Sequence, residues 1–157
     1  MTTSTTFRVR ALPVATLDTV RRTGRDAADR PVEALAAGGG EPLRCCLRDA
    51  EAGESLLLFG YAPPVAAGPY REIGPVFAHA AVCPGPEPAG GHPPAWRGRP
   101  QVLRAYDRRG RIHGGRLHDG TDPEAVIAEL FADPAVHQLH SRNVVYGCFM
   151  FVVERAT

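Results

Sequence analysis

The side chains best suited to chemistry in this sequence follow a glycine-proline pair in the middle of the chain. Tyr70, Arg71 and Glu72 come directly after Gly68-Pro69, and a second Gly-Pro pair then leads into an apolar segment that predicts a strand. Turn residues beside a strand end hold polar groups on a rigid scaffold. An arginine there can make a bidentate contact with a carboxylate or a phosphate. The pattern predicts either an anion site or an Arg71–Glu72 ion pair that only stabilises the turn.

Two other predicted strands carry polar side chains that would enlarge such a site. They are Arg104 and Tyr106 on one strand, and His140, Arg142 and the adjacent Asn143 on the other. Alternate side chains on one face of a strand lie about 6.6 Å apart. If these faces meet Tyr70 and Arg71, the result is a cationic pocket with hydroxyl and imidazole groups, suited to a small anion. The alternative is three separate faces in contact with solvent.

The four cysteines and six histidines raise the question of a metal site. Structural zinc sites usually contain pairs such as C-x2-C on a turn, and this sequence has none. Cys45 and Cys46 are neighbours on a predicted strand, so their side chains would point to opposite faces. His79 and Cys83 would share a face but lie about 13 Å apart on an extended strand. The spacing leaves open only a three-ligand site built from distant segments, and we predict no metal site and no cofactor.

The elements that must position these groups are short. Helices are predicted over residues 13–22 and 121–131, the second from a hydroxyl N-cap at Thr121 followed by proline and glutamate. Strands are predicted over residues 6–12, 43–47, 55–61, 76–82, 101–107, 112–117, 136–143 and 148–155. Residues 43–47 and 55–61 are expected to pair as a hairpin. This pattern predicts an α+β fold: a single domain over residues 1–157, with a mainly antiparallel, curved or partly closed sheet of about eight short strands and two packed helices.

Residues 84–100 interrupt this pattern. Their proline and glycine content prevents a regular element, and the stretch is long for a loop in a compact domain. We predict a mobile lid or a disordered excursion. Trp96, the only tryptophan, either anchors this loop to the core or covers a pocket.

Composition excludes several classes of protein. The hydrophobic content of 44% and charged content of 22% are globular values. A net charge of +1 argues against a nucleic-acid binder, which needs a concentrated basic face. All 18 basic residues are arginine, so lysine chemistry is excluded. The chain shows no apolar run long enough for a membrane span and no signal in its first residues, so we expect a cytoplasmic protein with reduced thiols.

Three segments resemble the bacterial family catalogued as domain of unknown function 1203. They are residues 47–58 with an acidic stretch before a leucine run, Pro69-Tyr70-Arg71 followed by residues 74–77, and residues 130–134 followed by His140, Asn143 and Gly147-Cys148. The resemblance covers most of the chain. It implies no particular activity, because the family has no assigned one.

The sequence is compatible with two functions. The first is a small-molecule-binding domain with a cationic pocket for a small anion, and the residues do not define whether a reaction takes place there. The second is a non-catalytic interaction module that joins a partner or its own copy, since two-fold homodimers are the commonest assembly.

Overall fold

The chain folds into two five-stranded β-sheets and two α-helices. The computed structural model describes residues 7–156, so Thr6, where the first predicted strand begins, and most of the N-terminal stretch considered for a signal lie outside the described residues. The strands are β1 (Phe7–Arg10), β2 (Glu33–Ala36), β3 (Pro42–Leu43), β4 (Arg48–Asp49), β5 (Ser55–Tyr61), β6 (Gly74–His79), β7 (Gln101–Tyr106), β8 (Ile112–His118), β9 (Gln138–Asn143) and β10 (Phe149–Arg155). The helices are α1 (Val14–Thr23) and α2 (Pro123–Phe131). The predicted α+β class is confirmed, with two sheets where one was expected.

Sheet A has the strand order β1-β10-β9-β7-β8, and all its neighbouring strands are antiparallel. Its strand β10 is covered on both faces. Phe149 and Val152 belong to one core cluster, whereas Phe151 and Val153 belong to the other. A continuous apolar run is the pattern expected of such a strand.

Sheet B has the order β2-β5-β6-β3-β4, in which β3 runs parallel to β6 and the other pairs are antiparallel. Leu56 and Val76 from this sheet share a buried cluster with Phe149 and Val152 of sheet A. The two sheets therefore pack against each other through this cluster. Burial of apolar side chains between the layers is the main source of stability in such a fold.

The helices complete the two clusters. Leu17 and Val20 of α1 join the cluster between the sheets, and α1 is capped after Thr23 by Gly24, which is left-handed with φ 66°. Ile127 of α2 is fully buried against the other face of sheet A. The N-cap of α2 is Asp122, whose side chain accepts a hydrogen bond from the backbone N–H of Ala125, so the prediction of Thr121 as the cap is wrong by one residue.

Residues 43–47 do not form the predicted strand. Strand β3 ends at Leu43, and Arg44–Leu47 form a turn in which the Leu47 N–H donates to the Leu43 carbonyl at 2.8 Å. Leu47 lies in the left-handed region with φ 58°. Strand β5 pairs with β2 and β6 instead, so the predicted hairpin is also wrong.

The proline- and glycine-rich loop is packed around its tryptophan. Residues Pro94–Trp96 form a single 3₁₀ turn, and the Trp96 side chain is fully buried. Its ring stacks on Phe151 at a centroid distance of 6.1 Å, and its indole N–H donates to Asp49 at 3.0 Å. Trp96 thus anchors the loop to the core, and this part of the loop is not an excursion into solvent. None of the helices in the described residues is both long and apolar enough to cross a membrane.

Candidate functional site

The polar faces predicted on two strands lie side by side in sheet A. Arg104 of β7 is directly opposite His140 of β9, and Tyr106 is opposite Gln138. Residues directly opposite one another in an antiparallel pair have their side chains on the same face. Strand pairing therefore brings together the groups that the sequence placed on two separate faces.

Glu72 joins this face from outside the sheet. Its carboxylate oxygen Oε1 accepts a hydrogen bond from Nη2 of Arg142 and lies 3.4 Å from Nη1 of Arg104. The Arg142 side chain is only 9% exposed, whereas the Glu72 side chain is 46% exposed. We call Glu72, Arg104, Tyr106, His140 and Arg142 the arginine cluster. Two guanidinium groups meet one carboxylate there, so the cluster carries an excess positive charge.

Arg142 is held firmly by its other contacts. Its Nη1 donates to the carbonyl of Gly147 at 3.0 Å, which fixes the guanidinium plane. Its Nε is buried and has no hydrogen-bond partner within the described residues. Because Nε and Nη2 form one edge of the guanidinium fork, Glu72 occupies half of a bidentate edge and leaves the other half unused.

His140 is the neutral base of this cluster. It is 1% exposed, and the centroid of its ring lies 4.6 Å from that of Tyr106 and 5.4 Å from that of Phe149. Burial and the nearby charge of Arg142 lower the pKa of His140 to about 3. Its Nε2 lies 3.3 Å from the acceptor oxygen of Gln138, so Nε2 carries the proton. The imidazole therefore supports the Tyr106 ring rather than adding positive charge.

The remaining predicted residues lie at the margin of the cluster or away from it. Tyr70 is 42% exposed and Arg71 is exposed, and within residues 7–156 no ion pair joins Arg71 to Glu72. The predicted structural pair is thus replaced by pairs from Glu72 to sheet A. Asn143 accepts hydrogen bonds from the N–H groups of Val145 and Tyr146, so its side chain stabilises the turn after β9.

Glu72 belongs to the long connection between β5 and β6, residues 62–73. This connection is held over sheet A at one further point, where the Gln138 amide donates to the Pro64 carbonyl at 2.7 Å. Gly110 allows its close approach, because a Cβ at Gly110 would lie 2.6 Å from the carbonyl oxygen of Ala66. The arginine cluster is therefore closed by a segment without regular secondary structure.

A second group of side chains that can bind a metal lies on sheet B. Its geometry contradicts the two spacing arguments that led us to predict no metal site, one for Cys45 and Cys46 and one for His79 and Cys83. The ligand atoms of Cys45, Cys46, His79 and Cys83, which we call the thiol cluster, all lie within 4.8 Å of one another. Cys45 and Cys46 are on a turn, so they do not point to opposite faces of a strand. Strand β6 ends at His79 and the chain bends at residues 80–81, so Cys83 is not displaced along an extended strand.

Hydrogen bonds in the thiol cluster distinguish its cysteines. Cys45 is buried, and its thiol donates to Sγ of Cys46 at 3.9 Å, which raises the pKa of Cys45 and lowers that of Cys46. Burial raises the pKa of Cys83. A local signal for this site was present in the sequence, namely His79 four residues before Cys83, but only the bend brings the two together.

The outer side of His79 contacts an ion pair. Its Nε2 lies 3.3 Å from Oε1 of Glu54, and Arg48 donates to the same carboxylate at 2.9 Å. The Arg48 guanidinium, with the backbone N–H of Glu51, holds the pKa of Glu54 at about 2. Nη2 of Arg48 lies 3.2 Å from the same Nε2, so Glu54 accepts a hydrogen bond from the imidazole in the tautomer that carries its proton on Nε2.

Two packed sheets with two helices define a single-domain α+β protein that carries a partly buried arginine cluster on one sheet and a thiol cluster on the other. The chain belongs to the family described as protein of unknown function (DUF1203), whose model matches residues 40–155. The matched span contains all residues of both clusters, and it confirms the resemblance seen in the sequence. Comparison with curated proteins and with solved structures gave no match.

Proposed function

We propose that this protein binds a small anion, a carboxylate or phosphate compound, at the arginine cluster. The observation that carries the proposal is the convergence of Arg104 and Arg142 on one oxygen of Glu72. Glu72 acts in this proposal as an internal occupant, which a ligand with a better-matched anionic group displaces.

The unused half of the Arg142 fork supports this displacement. A carboxylate or phosphate with two free oxygens pairs with Nε and Nη2 together, whereas Glu72 contacts only Nη2. Such bidentate contacts are about twice as strong as neutral hydrogen bonds and fix the orientation of the ligand. The backbone contact to Gly147 keeps the fork in place during the exchange.

The surrounding groups define what kind of ligand fits. Arg104 contributes a second cation, and its Nη1 donates to the Tyr106 hydroxyl at 3.1 Å, which leaves the hydroxyl hydrogen free to donate to a ligand oxygen. Tyr70 and Arg71 directly precede Glu72 on the same connection, and both are exposed to solvent. An anion with a polar body is therefore favoured over an apolar acid.

The test is thermal unfolding and calorimetric titration with phosphate, sulfate and a panel of di- and tricarboxylates. We expect at least one of these anions to stabilise the wild type. Arg142→Lys keeps the charge but loses the planar fork, and should weaken binding by about 1–3 kcal/mol. Arg104→Lys, at a side chain that is 31% exposed, tests the same point with less risk to folding.

The controls separate the site from general charge effects. Glu72→Gln should bind the anion more tightly than the wild type, because the internal competitor is weakened. Arg22→Lys, on the exposed face of α1, should leave binding unchanged. If no anion stabilises either the wild type or Glu72→Gln, Glu72 is only a structural counterion and the proposal fails.

The alternative of a homodimer retains support from one observation. The turn between β9 and β10 carries Val145 and Tyr146, each 83% exposed, the highest exposures among the large apolar side chains of the described residues. In this alternative a second copy of the chain covers the turn. Sedimentation of the wild type and of Val145→Ser would show a monomer in both cases if the alternative is wrong.

We also propose a bacterial, cytoplasmic protein. The support is the arginine-only basic composition and the four cysteines, none of which forms a disulfide in the described part of the chain.

A further inference from the structure

The distances among the ligand atoms of Cys45, Cys46 and His79 match those around a tetrahedral zinc ion, and Sγ of Cys83 lies within 4.8 Å of each of them. Zinc lies about 2.3 Å from a thiolate sulfur and about 2.0–2.1 Å from an imidazole nitrogen, so tetrahedral ligands are separated by about 3.8 Å for two sulfurs and about 3.6 Å for sulfur and nitrogen. Sγ of Cys45 lies 3.9 Å from Sγ of Cys46 and 3.5 Å from Nδ1 of His79. Sγ of Cys46 lies 3.8 Å from the same nitrogen.

Four separate features of the backbone produce this arrangement. The turn Arg44–Leu47 presents two successive thiols on one side, with Leu47 in the left-handed region. Strand β3 runs beside β6, so this turn lies next to the end of β6 at His79. The bend at residues 80–81 then returns Cys83 to the cluster. The backbone N–H of His79 donates to Sγ of Cys45 at 3.3 Å, a contact that also suits a metal-bound thiolate.

The contacts outside the cluster are those that a zinc-bound histidine uses. Nδ1 of His79 faces the thiols, and Nε2 on the opposite side of the ring faces Glu54. Metal-bound histidines usually donate their second ring N–H to a carboxylate or carbonyl, which fixes the tautomer and the ring orientation. When zinc binds Nδ1, the ring proton is on Nε2. The imidazole then accepts no hydrogen bond from Arg48, and Arg48 acts as the counterion of Glu54.

Cationic side chains lie where the charge of a metal–thiolate centre requires them. Three thiolates and one neutral imidazole around a divalent cation leave one net negative charge. Arg48 lies on one side of His79, and Arg21 donates to the His79 carbonyl at 3.0 Å on another. Both guanidinium groups therefore lie close enough to the thiol cluster to stabilise the negative charge of a zinc–thiolate centre.

We propose that Cys45, Cys46, His79 and Cys83 bind one Zn²⁺ ion. Soft thiolates with an imidazole in tetrahedral geometry favour zinc over magnesium or calcium. Four protein ligands close the coordination shell, so the site is structural and leaves no position for a substrate. The ion would join the β3–β4 turn to the end of β6, and each thiol that binds as a thiolate releases one proton to solvent.

The first experiment uses the wild-type protein, purified without chelator and under reducing conditions. We expect one zinc per chain by elemental analysis. Replacement by Co²⁺ should give the visible absorption bands of a tetrahedral thiolate site. A zinc content near zero together with no Co²⁺ bands on titration would overturn the proposal. A native disulfide within the cluster in protein prepared with zinc present would overturn it as well.

The second experiment identifies the ligands with a matched cysteine control. Cys83→Ser and His79→Gln should each lose the Co²⁺ bands and weaken zinc binding by more than the 10–100-fold typical of an outer contact, and Glu54→Gln should weaken it by about 10–100-fold. Cys148→Ser removes the fourth cysteine, which lies outside the cluster, and should keep the wild-type content and spectrum. Equal zinc binding by Cys83→Ser, Cys148→Ser and the wild type would show adventitious metal and contradict the assignment.

Folding of the variants does not limit this test. If Cys83→Ser fails to fold, competition with a chromogenic chelator on the wild type, before and after thiol alkylation, still reports whether thiols hold the metal. Release of zinc on alkylation supports the site, and retention overturns it. Because the arginine cluster is on sheet A, anion binding and zinc binding are measured independently, and failure of one leaves the other unaffected.

Discussion

Glu72 links an irregular segment to a nearly buried cation. Arg142 has a side-chain exposure of 9%, and a charge at that depth needs a counterion or hydrogen bonds that replace its hydration. The Gly147 carbonyl supplies one acceptor and Glu72 supplies the charge. Removal of the Glu72 charge therefore affects both the stability of the fold and the affinity of the site for anions.

We expect Glu72→Gln to lower the free energy of unfolding by about 1–3 kcal/mol, less than a fully buried pair would lose because Glu72 is half exposed. Added phosphate should restore part of this loss, since it supplies the missing charge. Urea unfolding with and without phosphate measures both effects. The control is Glu129→Gln, which breaks an exposed pair with Arg116 and should cost no more than about 0.5 kcal/mol. Equal effects of the two substitutions would contradict this account.

The residues on the strands of this cluster were predictable, whereas their counterion was not. Alternation along one strand is local, so Arg104 and Tyr106, and likewise His140 and Arg142, could be assigned to common faces. Glu72 lies 70 residues from Arg142 in the sequence, and its own neighbour Arg71 looked like its natural partner. A non-local pair of this kind depends on the course of the connection over the sheet, which no local pattern encodes.

Among the secondary-structure elements, the loop at 84–100 shows how composition misleads. Proline and glycine exclude a helix or strand, but they do not prevent packing, and Trp96 supplies a large apolar surface for it. Its indole N–H reaches Asp49, which also receives hydrogen bonds from Arg99. Trp96 and Arg99, three residues apart, thus both join the loop to Asp49 of β4.

We expect Trp96→Ala to lower the free energy of unfolding by about 3–5 kcal/mol, the usual cost of removing a buried aromatic side chain. Trp96→Phe should cost less, because it keeps an aromatic ring to stack on Phe151 and loses the N–H contact and the volume of one ring. Chemical denaturation measures both. Val82→Ala, at a side chain that is 80% exposed, is the matched control and should stay within about 0.5 kcal/mol of the wild type. A Trp96→Ala protein as stable as this control would show that the loop does not contribute to the core.

The turn Arg44–Leu47, which carries Cys45 and Cys46, shows the opposite error, because a regular strand was predicted where the chain turns. Leu43 to Leu47 contains apolar and small residues that fit a strand, yet five residues cannot be distinguished from a turn by alternation alone. Its partner strand β6 lies more than thirty residues further along the chain, and the two run parallel. The thiol cluster could not be predicted without that pairing.

At the scale of the whole molecule, strand β10 of sheet A contributes buried side chains to both core clusters. The sequence predicted that this segment is a strand, but its burial on both faces depends on having a sheet on one side and α2 with Trp96 on the other.

Histidine side chains are buried in the interior of the molecule. His92 and His140 are 5% and 1% exposed, and burial lowers the pKa of His92 to about 4 and that of His140, also influenced by Arg142, to about 3.

These buried histidines determine how stability depends on pH. In the unfolded chain an imidazole takes up a proton near pH 6.5, whereas in the folded protein it stays neutral until the pH approaches its lowered pKa. The unfolded state therefore binds more protons between about pH 6.5 and pH 4, and the free energy of unfolding falls as the pH falls through this range. Burial lowers the pKa of His118 in the same direction. Above pH 7 their contribution is fully present.

We expect the free energy of unfolding to drop between pH 7.5 and pH 5 by about 2 kcal/mol for each of His92 and His140. Both ring nitrogens of His92 lack hydrogen-bond partners in the described structure, and its ring packs edge-on against Phe151, so His92→Phe should fold and should remove its share of the drop. Urea unfolding at a series of pH values measures the slope. His137→Gln, at an exposed position on the same protein, should leave the slope unchanged. If His92→Phe and the wild type lose the same stability on acidification, His92 is solvated in the native state and the packing of this loop against sheet A is looser than its burial indicates.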